Sequence, residues 1–192
     1  MKKIIFLLPA IAVILLSFKP IAPASWKLDA VHSNLGFTVL HLGVSDFKGT
    51  VKLNSAVITA PNEDFTDASI VLEADMNSIN TNNDKRDDHL KTADFFNTVK
   101  FPVLNFQSTS FKKDNADKYI ITGNLTLHGV TKPVTLTASI RSGVNPTNNK
   151  PITGIKVMGT IKRTDFDIAP STPVGILSDE VAIEANMEFG KE

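Results

Sequence analysis

The sequence predicts an all-β domain, an eight-stranded antiparallel barrel with a short helix near one end. Apolar and polar residues alternate along about eight segments after residue 25, a pattern typical of strands with one buried face. Turn signals at Pro61-Asn62, Asp114-Asn115 and Asn145-Pro146 separate these segments and leave no room for crossover helices. One stretch, residues 84–96, has the pattern of a helix instead.

The alternation identifies each strand by its apolar face. Leu35, Phe37 and Val39 share one face of the first segment. Leu72 and Met76 share one face of the third. The remaining segments are residues 49–58, 102–111, 118–129, 132–140, 154–161 and 179–189. About eight antiparallel strands can close into a barrel, which removes exposed sheet edges. The periodicity alone is also compatible with a two-sheet sandwich.

The helical segment has recognisable start and stop signals. Asn83 or Asp84 can cap its first turn, and aspartates in that turn complement the helix dipole. Asp87 and Lys91 are four residues apart, the spacing of a supporting ion pair. Pro102 forces the residue before it to be extended, so the helix must end before the next strand begins.

Phenylalanines are concentrated where the helix gives way to the next strand. Five of the 12 phenylalanines fall within residues 89–111: Phe95, Phe96, Phe101, Phe106 and Phe111. Such rings usually belong to a core. An eight-stranded barrel, however, either just fills with side chains or holds one small ligand. The cluster therefore fits a plain core, and it also fits the wall and lid of a cavity.

Residues 1–24 are predicted to be a secretory signal peptide, and residues 25–192 the barrel domain. Two lysines precede an apolar block at residues 4–18, and Ala22-Pro23-Ala24 has the A-x-A form that signal peptidase reads. The block is shorter than the roughly 20 residues that span a bilayer. We therefore expect cleavage before Ser25, no stable membrane span in the mature protein, and a periplasmic or secreted location.

The expected mature domain lacks the charge of a nucleic-acid-binding protein. Lys2, Lys3 and Lys19 belong to the leader, so 17 of the 20 basic residues face 20 acidic ones, a net charge near −3. Phosphate backbones are bound by an excess of basic residues, and nucleic acid is therefore not expected as a partner. The sequence contains no cysteine, which excludes disulfides and a lipid-modified N-terminal cysteine.

Patterns for catalysis or metal binding are weak. His32 and His41 are nine residues apart, which places them on opposite faces of an uninterrupted strand. His89 and His128 could join them only through tertiary contacts. The sequence predicts no metal, no cofactor and no catalytic residue. A metal-assisted enzyme that uses these histidines is kept as an alternative.

Hydroxyl and carboxylate groups give no stronger signal. Ser33 and the serines at 108 and 110 lack the G-x-S-x-G pattern of a nucleophile elbow. Asp84, Asp87 and Asp88 lie in the predicted first helical turn, where carboxylates more often complement the dipole than act as an acid–base pair.

Four segments, in this order, resemble the YceI-like family of exported, lipocalin-like polyisoprenoid-binding proteins. They are WKLDAVHSNLGFTVLHLGVSDFKG, SINTNNDKRDDHLKTADFFNTVKFPVLNFQST, GNLTLHGVTKPVTL and IKRTDFDI. The resemblance extends from Trp26 to about Phe189. It implies a lipocalin-like barrel around a long apolar channel that takes an isoprenoid or similar lipid chain, without catalytic machinery. Asp167 stands where the family's glycine is expected after R-x-D-F, which concerns only the local turn.

The predicted ligand-binding residues combine inward strand faces with the apolar side of the helical segment. On strands they are Leu35, Phe37, Val39, Leu72, Met76, Phe106, Ile121, Leu125 and Met187, and in the lid they are Leu90, Phe95 and Phe96. Arg86, His89 and Lys91 are expected near the channel mouth, where a cation can meet an anionic head group. The alternative is that these cations are the solvated face of an amphipathic helix. A structural or stress-associated envelope protein with a fully packed interior is the remaining alternative.

Overall fold

The protein is a closed antiparallel barrel in the computed structural model, which describes residues 22–115 and 117–192. Each strand pairs with the next along the chain, and the last pairs with the first. The strands are β1 Ala24–His41, β2 Ser45–Ala60, β3 Ser69–Asn80, β4 Val103–Asn115, β5 Lys118–Leu127, β6 Val130–Val144, β7 Pro151–Lys162 and β8 Leu177–Lys191. The predicted eight-stranded barrel is confirmed, and the two-sheet sandwich is wrong.

The predicted leader falls mostly on residues 1–21, outside the described residues. β1 begins at Ala24, and the carbonyl of Ser25 accepts a hydrogen bond from the Glu192 amide at 3.0 Å. A chain that starts at Ser25 would keep this bond. Within the described residues, no helix has both the length and the apolar character needed to cross a membrane.

The connections divide the barrel into two ends. The β1–β2, β3–β4, β5–β6 and β7–β8 connections form one end, which we call the mouth end. The β2–β3, β4–β5 and β6–β7 connections form the opposite end, together with the start of β1 and the end of β8. We call this the closed end. The three predicted turn signals all lie there, and each coincides with a connection or a strand terminus.

Aromatic rings fill the closed end. Trp26 packs against Phe65 with ring centroids 5.3 Å apart, and Phe111 packs against Tyr119 at 5.5 Å. Phe111 is 1% exposed and Phe189 is fully buried at 0%. Rings of this size bury large apolar areas, so this cluster contributes much of the hydrophobic stabilisation of the barrel.

The helix, α1, is shorter than predicted. It spans Asp84–Lys91, and the side chain of Asn83 caps it by accepting a hydrogen bond from the Arg86 amide. The prediction that it continues to residue 96 is wrong. Thr92 is extended, and both its amide and its hydroxyl donate to the carbonyl of His89. The helix therefore ends at Lys91, five residues before the predicted end.

Phe95 and Phe96 therefore lie in a turn that follows α1. The Phe95 amide donates to the Thr92 carbonyl at 3.1 Å, and the Phe96 amide donates to the Leu90 carbonyl at 3.0 Å. These bonds fold the segment back over Leu90. Periodicity could not distinguish this turn from another helical turn, because both place the two rings near Leu90.

The expected Asp87–Lys91 ion pair is also wrong. Asp87 is buried, and its carboxylate accepts hydrogen bonds from the amide of Thr81, at 2.8 Å, and from the Thr81 hydroxyl. A buried carboxylate requires such donors. The first turn of α1 is thereby tied to the end of β3, which positions the segment at the mouth end.

Candidate functional site

An apolar cavity of about 490 Å³ lies inside the barrel and reaches the mouth end. All eight strands contribute inward-facing residues to its wall. We call α1 and the turns that follow it, residues 84–101, the α1 segment. This segment, Thr81 and the β7–β8 connection supply the rest of the lining. The volume is in the range of small-molecule binding sites, and the apolar wall suits a hydrocarbon ligand.

The structure places all twelve predicted ligand-binding residues on this cavity. Those on strands are Leu35, Phe37, Val39, Leu72, Met76, Phe106, Ile121, Leu125 and Met187, and those of the α1 segment are Leu90, Phe95 and Phe96. The inward assignment of each strand face explains the first set. Contact of these residues with a ligand stays a prediction.

The phenylalanine cluster of residues 89–111 is divided among three environments. Three of its rings border the cavity: Phe95, Phe96 and Phe106. Phe101 packs instead against His128, with ring centroids 4.8 Å apart, and Phe111 belongs to the aromatic cluster of the closed end. Of the two interpretations of the cluster, the cavity wall therefore applies to three of its five members and packing elsewhere to the other two, because the strand and turn geometry directs those two away from the cavity.

Two rings of the cavity wall lie over glycines of the adjacent strand. A Cβ atom at Gly49 would lie 2.3 Å from Cζ of Phe37, its partner across β1 and β2. A Cβ atom at Gly123 would lie 2.5 Å from Cζ of Phe106. Glycine in a strand interior often marks such a close approach. The rings therefore lie flat on the wall and leave the space beside them open.

The α1 segment forms the first cover of the cavity. Arg86 holds it in place by donating from Nε to the Thr81 hydroxyl and from a terminal nitrogen to the Thr81 carbonyl, each at 2.7 Å. The same guanidinium lies 4.8 Å from the centroid of the Phe47 ring. Leu90, Phe95 and Phe96 are only partly buried although they pack against the core.

The β7–β8 connection, residues 163–176, forms a second cover that the sequence did not reveal. Arg163 begins it, is 3% exposed, and anchors the connection through its guanidinium. That group donates to the carbonyls of Ile168 at 3.1 Å, Thr172 at 2.6 Å, Leu177 at 3.2 Å and Ser178 at 3.2 Å, and to that of Ala169. A guanidinium offers five N–H donors, and here they satisfy the carbonyls of an irregular segment.

Two aspartates complete this second cover. Asp167 has φ 56°, the left-handed conformation that glycine adopts most readily and that aspartate tolerates. The turn is thus kept despite the departure from the family pattern. Asp179 accepts hydrogen bonds from the Thr164 hydroxyl at 2.7 Å and the Thr164 amide at 3.1 Å. The bond from that hydroxyl is the main cause that lowers the pKa of Asp179.

No carboxylate borders the cavity in the described part of the chain. Its polar lining residues are Lys48, Thr81, Arg86, His41, His89, Arg163 and Thr172. Lys91, which was predicted near the mouth, does not border the cavity. A negatively charged head group at the mouth would therefore meet cations and neutral groups, and it would face no repelling carboxylate on the wall.

The four histidines do not form one site. His41 packs against Phe47 at 5.1 Å between ring centroids, and His89 packs against Phe95 at 4.9 Å. His128 packs against Phe101 and hydrogen-bonds the Phe166 carbonyl, at 3.1 Å. His32 is exposed on the outer wall. The metal-assisted alternative that combines these histidines therefore finds no support in their placement.

The serines considered as nucleophiles have structural partners. The Ser33 hydroxyl donates to the Asp29 carbonyl at 2.6 Å, and the Ser108 hydroxyl accepts from the Ile70 amide at 2.9 Å. Each bridges backbone groups at a strand irregularity or between strands. Neither contacts a histidine through these bonds.

The sequence matches the family model described as the YceI-like domain over residues 26–189. It is 39% identical over 168 residues to Protein YceI of Salmonella arizonae, and the match covers 86% of each chain. A crystal structure of the YceI protein of Campylobacter jejuni superposes with a TM-score of 0.72 at 33% identity, covering 80% of this chain and 90% of that one.

More distant structures share the fold. BcnA of Burkholderia cenocepacia superposes with a TM-score of 0.73 at 20% identity, covering 84% of this chain and 98% of that one. A polyisoprenoid binding domain from Saccharophagus degradans superposes with a TM-score of 0.64 at 18% identity, covering 87% of this chain and 98% of that one. With a family model that spans nearly all of the barrel and a relative of this identity, the chain belongs to the YceI-like family.

Proposed function

We propose that this protein is a non-enzymatic binding protein that holds a long-chain apolar ligand, a polyisoprenoid or a similar lipid, inside the barrel. The cavity of about 490 Å³ with its almost wholly apolar wall carries this proposal. An interior without ligand would be expected to close by packing, as the closed end does. The cavity argues against the fully packed alternative, and the shared fold with a polyisoprenoid binding domain supports the ligand class.

We further propose export. The signal-peptide pattern of residues 1–24 supports a leader that is cleaved before Ser25, and the barrel would then act in the periplasm or outside the cell. The family membership supports an envelope location but leaves the cleavage position to measurement.

Native mass spectrometry of the protein purified from the soluble envelope fraction tests both proposals. The intact mass should correspond to a chain that starts at Ser25, and an organic extract should contain a long-chain apolar molecule. Recovery of the full-length chain from membranes would contradict export. A ligand-free protein with the mature mass would contradict lipid binding alone, so the two failures are distinguishable.

Neighbouring residues on β3 provide matched variants for the binding proposal. Leu72 faces the cavity, whereas Val71 is 54% exposed on the outer wall. Leu72→Trp should fill the cavity and reduce the extracted lipid severalfold, while Val71→Trp should leave it unchanged. An apolar replacement is chosen because a buried charge could prevent folding. Equal lipid content in both folded variants would count against an interior site.

We propose that the α1 segment is the lid through which the ligand enters. Phe95 and Phe96 lie over the cavity and are only partly buried. Replacing both with Ala should speed exchange of a fluorescent lipid severalfold by removing apolar closure. Val99→Ala is the matched control, because Val99 is 94% exposed in the same segment. Unaltered exchange in the folded double variant would place the entrance elsewhere, with the β7–β8 connection as the next candidate.

Lipid exchange rates also test whether an anionic head group binds at the mouth. Arg86 borders the cavity, whereas Lys91 does not. If an anionic head group binds at the mouth, Arg86→Gln should speed release of a fatty acid more than release of the alcohol of equal chain length, because loss of the bonds to Thr81 loosens the lid for both ligands. Lys91→Gln should change neither rate. Equal effects of Arg86→Gln on both ligands would indicate that Arg86 only positions the lid.

A further inference from the structure

The outer wall carries an irregularity in β1 that lies apart from the cavity. Asp29 pairs with Glu188 of β8, and Asn34 pairs with Asn186. Between these two pairs the chain advances by five residues along β1 and by two along β8, so β1 contains three extra residues there. Such bulges re-aim side chains, and this one directs His32 towards β8.

Hydrogen bonds hold this bulge in one conformation. The Asp29 carboxylate accepts from the amides of Val31 at 3.0 Å and His32 at 3.3 Å. The Ser33 hydroxyl donates to the Asp29 carbonyl at 2.6 Å and accepts from the Glu188 amide at 2.9 Å. Both Asp29 and Glu188 are therefore fixed relative to His32 through backbone contacts.

Three potential metal ligands converge above the bulge. One ligand atom each from Asp29, His32 and Glu188 lies within 4.8 Å of the other two. His32 Nδ1 and an Asp29 carboxylate oxygen are 2.9 Å apart. Atoms that share a metal at about 2.0–2.2 Å lie roughly 3–4 Å from one another. In the described part of the chain this is the only such trio.

We propose that Asp29, His32 and Glu188 bind one divalent transition-metal ion of the Zn²⁺ type, with water completing its coordination. An imidazole nitrogen favours Zn²⁺ over Mg²⁺ and Ca²⁺, and two carboxylates neutralise the charge of the ion. The ion takes the place of the proton between His32 and Asp29.

The position of the site gives the ion a structural role. β1 and β8 are the first and last strands, and their pairing closes the barrel. A metal that binds Asp29 and His32 of β1 and Glu188 of β8 cross-links the two strands that close the barrel. Because the three residues converge only in the folded chain, metal binding stabilises the folded state by a free energy that rises with the logarithm of the metal concentration over the dissociation constant.

Titration of the purified full chain with ZnCl₂, followed by calorimetry and by thermal unfolding, tests the site. His32→Ala and Glu188→Gln should each weaken zinc binding about tenfold or more, the minimum expected from loss of a ligand. They should also abolish the rise in Tm that zinc produces. His89→Ala is the matched control, because His89 is also exposed and its Nε2 lies 3.8 Å from an Asp94 carboxylate oxygen, but it belongs to no such trio among the described residues.

Zinc binding that is lost in both site variants and kept in His89→Ala supports the site. Wild-type zinc affinity in either folded site variant overturns it, as does an equal loss in His89→Ala. Equal affinity of the wild-type protein for Mg²⁺ also overturns it, because carboxylates alone would then account for binding. His32 is an exposed residue, so circular dichroism is expected to show an intact fold in His32→Ala.

Discussion

At the closed end of the barrel, Phe111 and Phe189 are 1% and 0% exposed. At the mouth end, Phe37, Phe95 and Phe96 border the cavity and are only partly buried. The same alternation of inward and outward residues builds both ends. The difference is that the aromatic rings of the closed end meet one another, whereas those of the mouth end border open space.

The two ends are also covered in different ways. At the closed end, Phe65 of the β2–β3 connection packs directly on Trp26. At the mouth end, the covers are anchored by hydrogen bonds from Arg86 to Thr81 and from Arg163 to backbone carbonyls. Polar anchors at the base of a cover hold it over the opening without filling the interior. A barrel can thus be stable at one end and remain hollow at the other.

Truncation of a ring at each end should have unequal effects on the ligand-free protein. Phe111→Ala leaves a new void in a packed cluster and should lower the free energy of unfolding by about 3–5 kcal/mol. Phe37→Ala should cost less than about 2 kcal/mol, because its ring already borders a cavity and little further void is created. Urea denaturation of both variants measures the difference.

Equal losses in the two variants would mean that the mouth half is packed in solution as tightly as the closed half. The comparison must be made after delipidation, because a ligand that contacts Phe37 would add to the cost of its removal. Addition of lipid should then increase the loss of unfolding free energy caused by Phe37→Ala and leave the loss caused by Phe111→Ala unchanged.

Removal of the Arg163 anchor should have the next largest effect. Arg163→Met leaves several carbonyls of the second cover without donors, and unsatisfied buried groups cost roughly 1–3 kcal/mol each when they cannot reach water. Partial hydration reduces the sum, so we expect a loss of about 3 kcal/mol. Arg163→Lys keeps the charge but lacks the planar set of five donors, and it should lose less.

Hydrogen exchange locates the effect of this change. Amides of residues 163–176 should exchange faster in Arg163→Met, while those of the closed end should exchange at rates that reflect only the global loss. A loss in Arg163→Lys as large as in Arg163→Met would indicate that guanidinium geometry, and not charge, holds the cover. A negligible loss in both would show that the connection needs no anchor.

The strands and the cavity wall followed from the sequence because both rest on a strict period of two. Leu72 and Ile121 needed no tertiary information to be placed inside. The same alternation also identifies lining residues that were not named, among them Val134, Leu136, Val157 and Ile183. A regular pattern therefore contained more of the site than the twelve predicted residues.

The irregular parts could not be predicted in this way. The end of α1 at Thr92 depends on the amide and the hydroxyl of Thr92, which both donate to the His89 carbonyl. The burial of Asp87 depends on Thr81, six residues before it. Arg163 acts on carbonyls brought together by an irregular connection. The bulge that brings His32 to Glu188 joins residues from opposite ends of the chain. Each depends on contacts that the alternation of apolar and polar residues along the chain does not indicate.

The smallest expected effect concerns Asp179 and its dependence on pH. Its pKa is lowered in the folded protein, chiefly by the Thr164 hydroxyl, so its stabilisation is present above the unfolded pKa of about 3.9 and is lost as pH falls through the folded value. Because Asp179 is partly exposed, solvent screening should keep the cost of Asp179→Asn below about 1 kcal/mol at pH 7. The difference from wild type should shrink further below pH ~4.

Tyr119→Phe is the comparison at the closed end, where the Tyr119 hydroxyl donates to the Asp64 carbonyl at 2.6 Å. Its loss of about 1 kcal/mol should be the same at both pH values, because neither partner in that bond titrates in acid. Urea denaturation at pH 7 and pH 3 measures both variants, and a pH-independent loss for Asp179→Asn would show that its carboxylate charge does not hold Thr164.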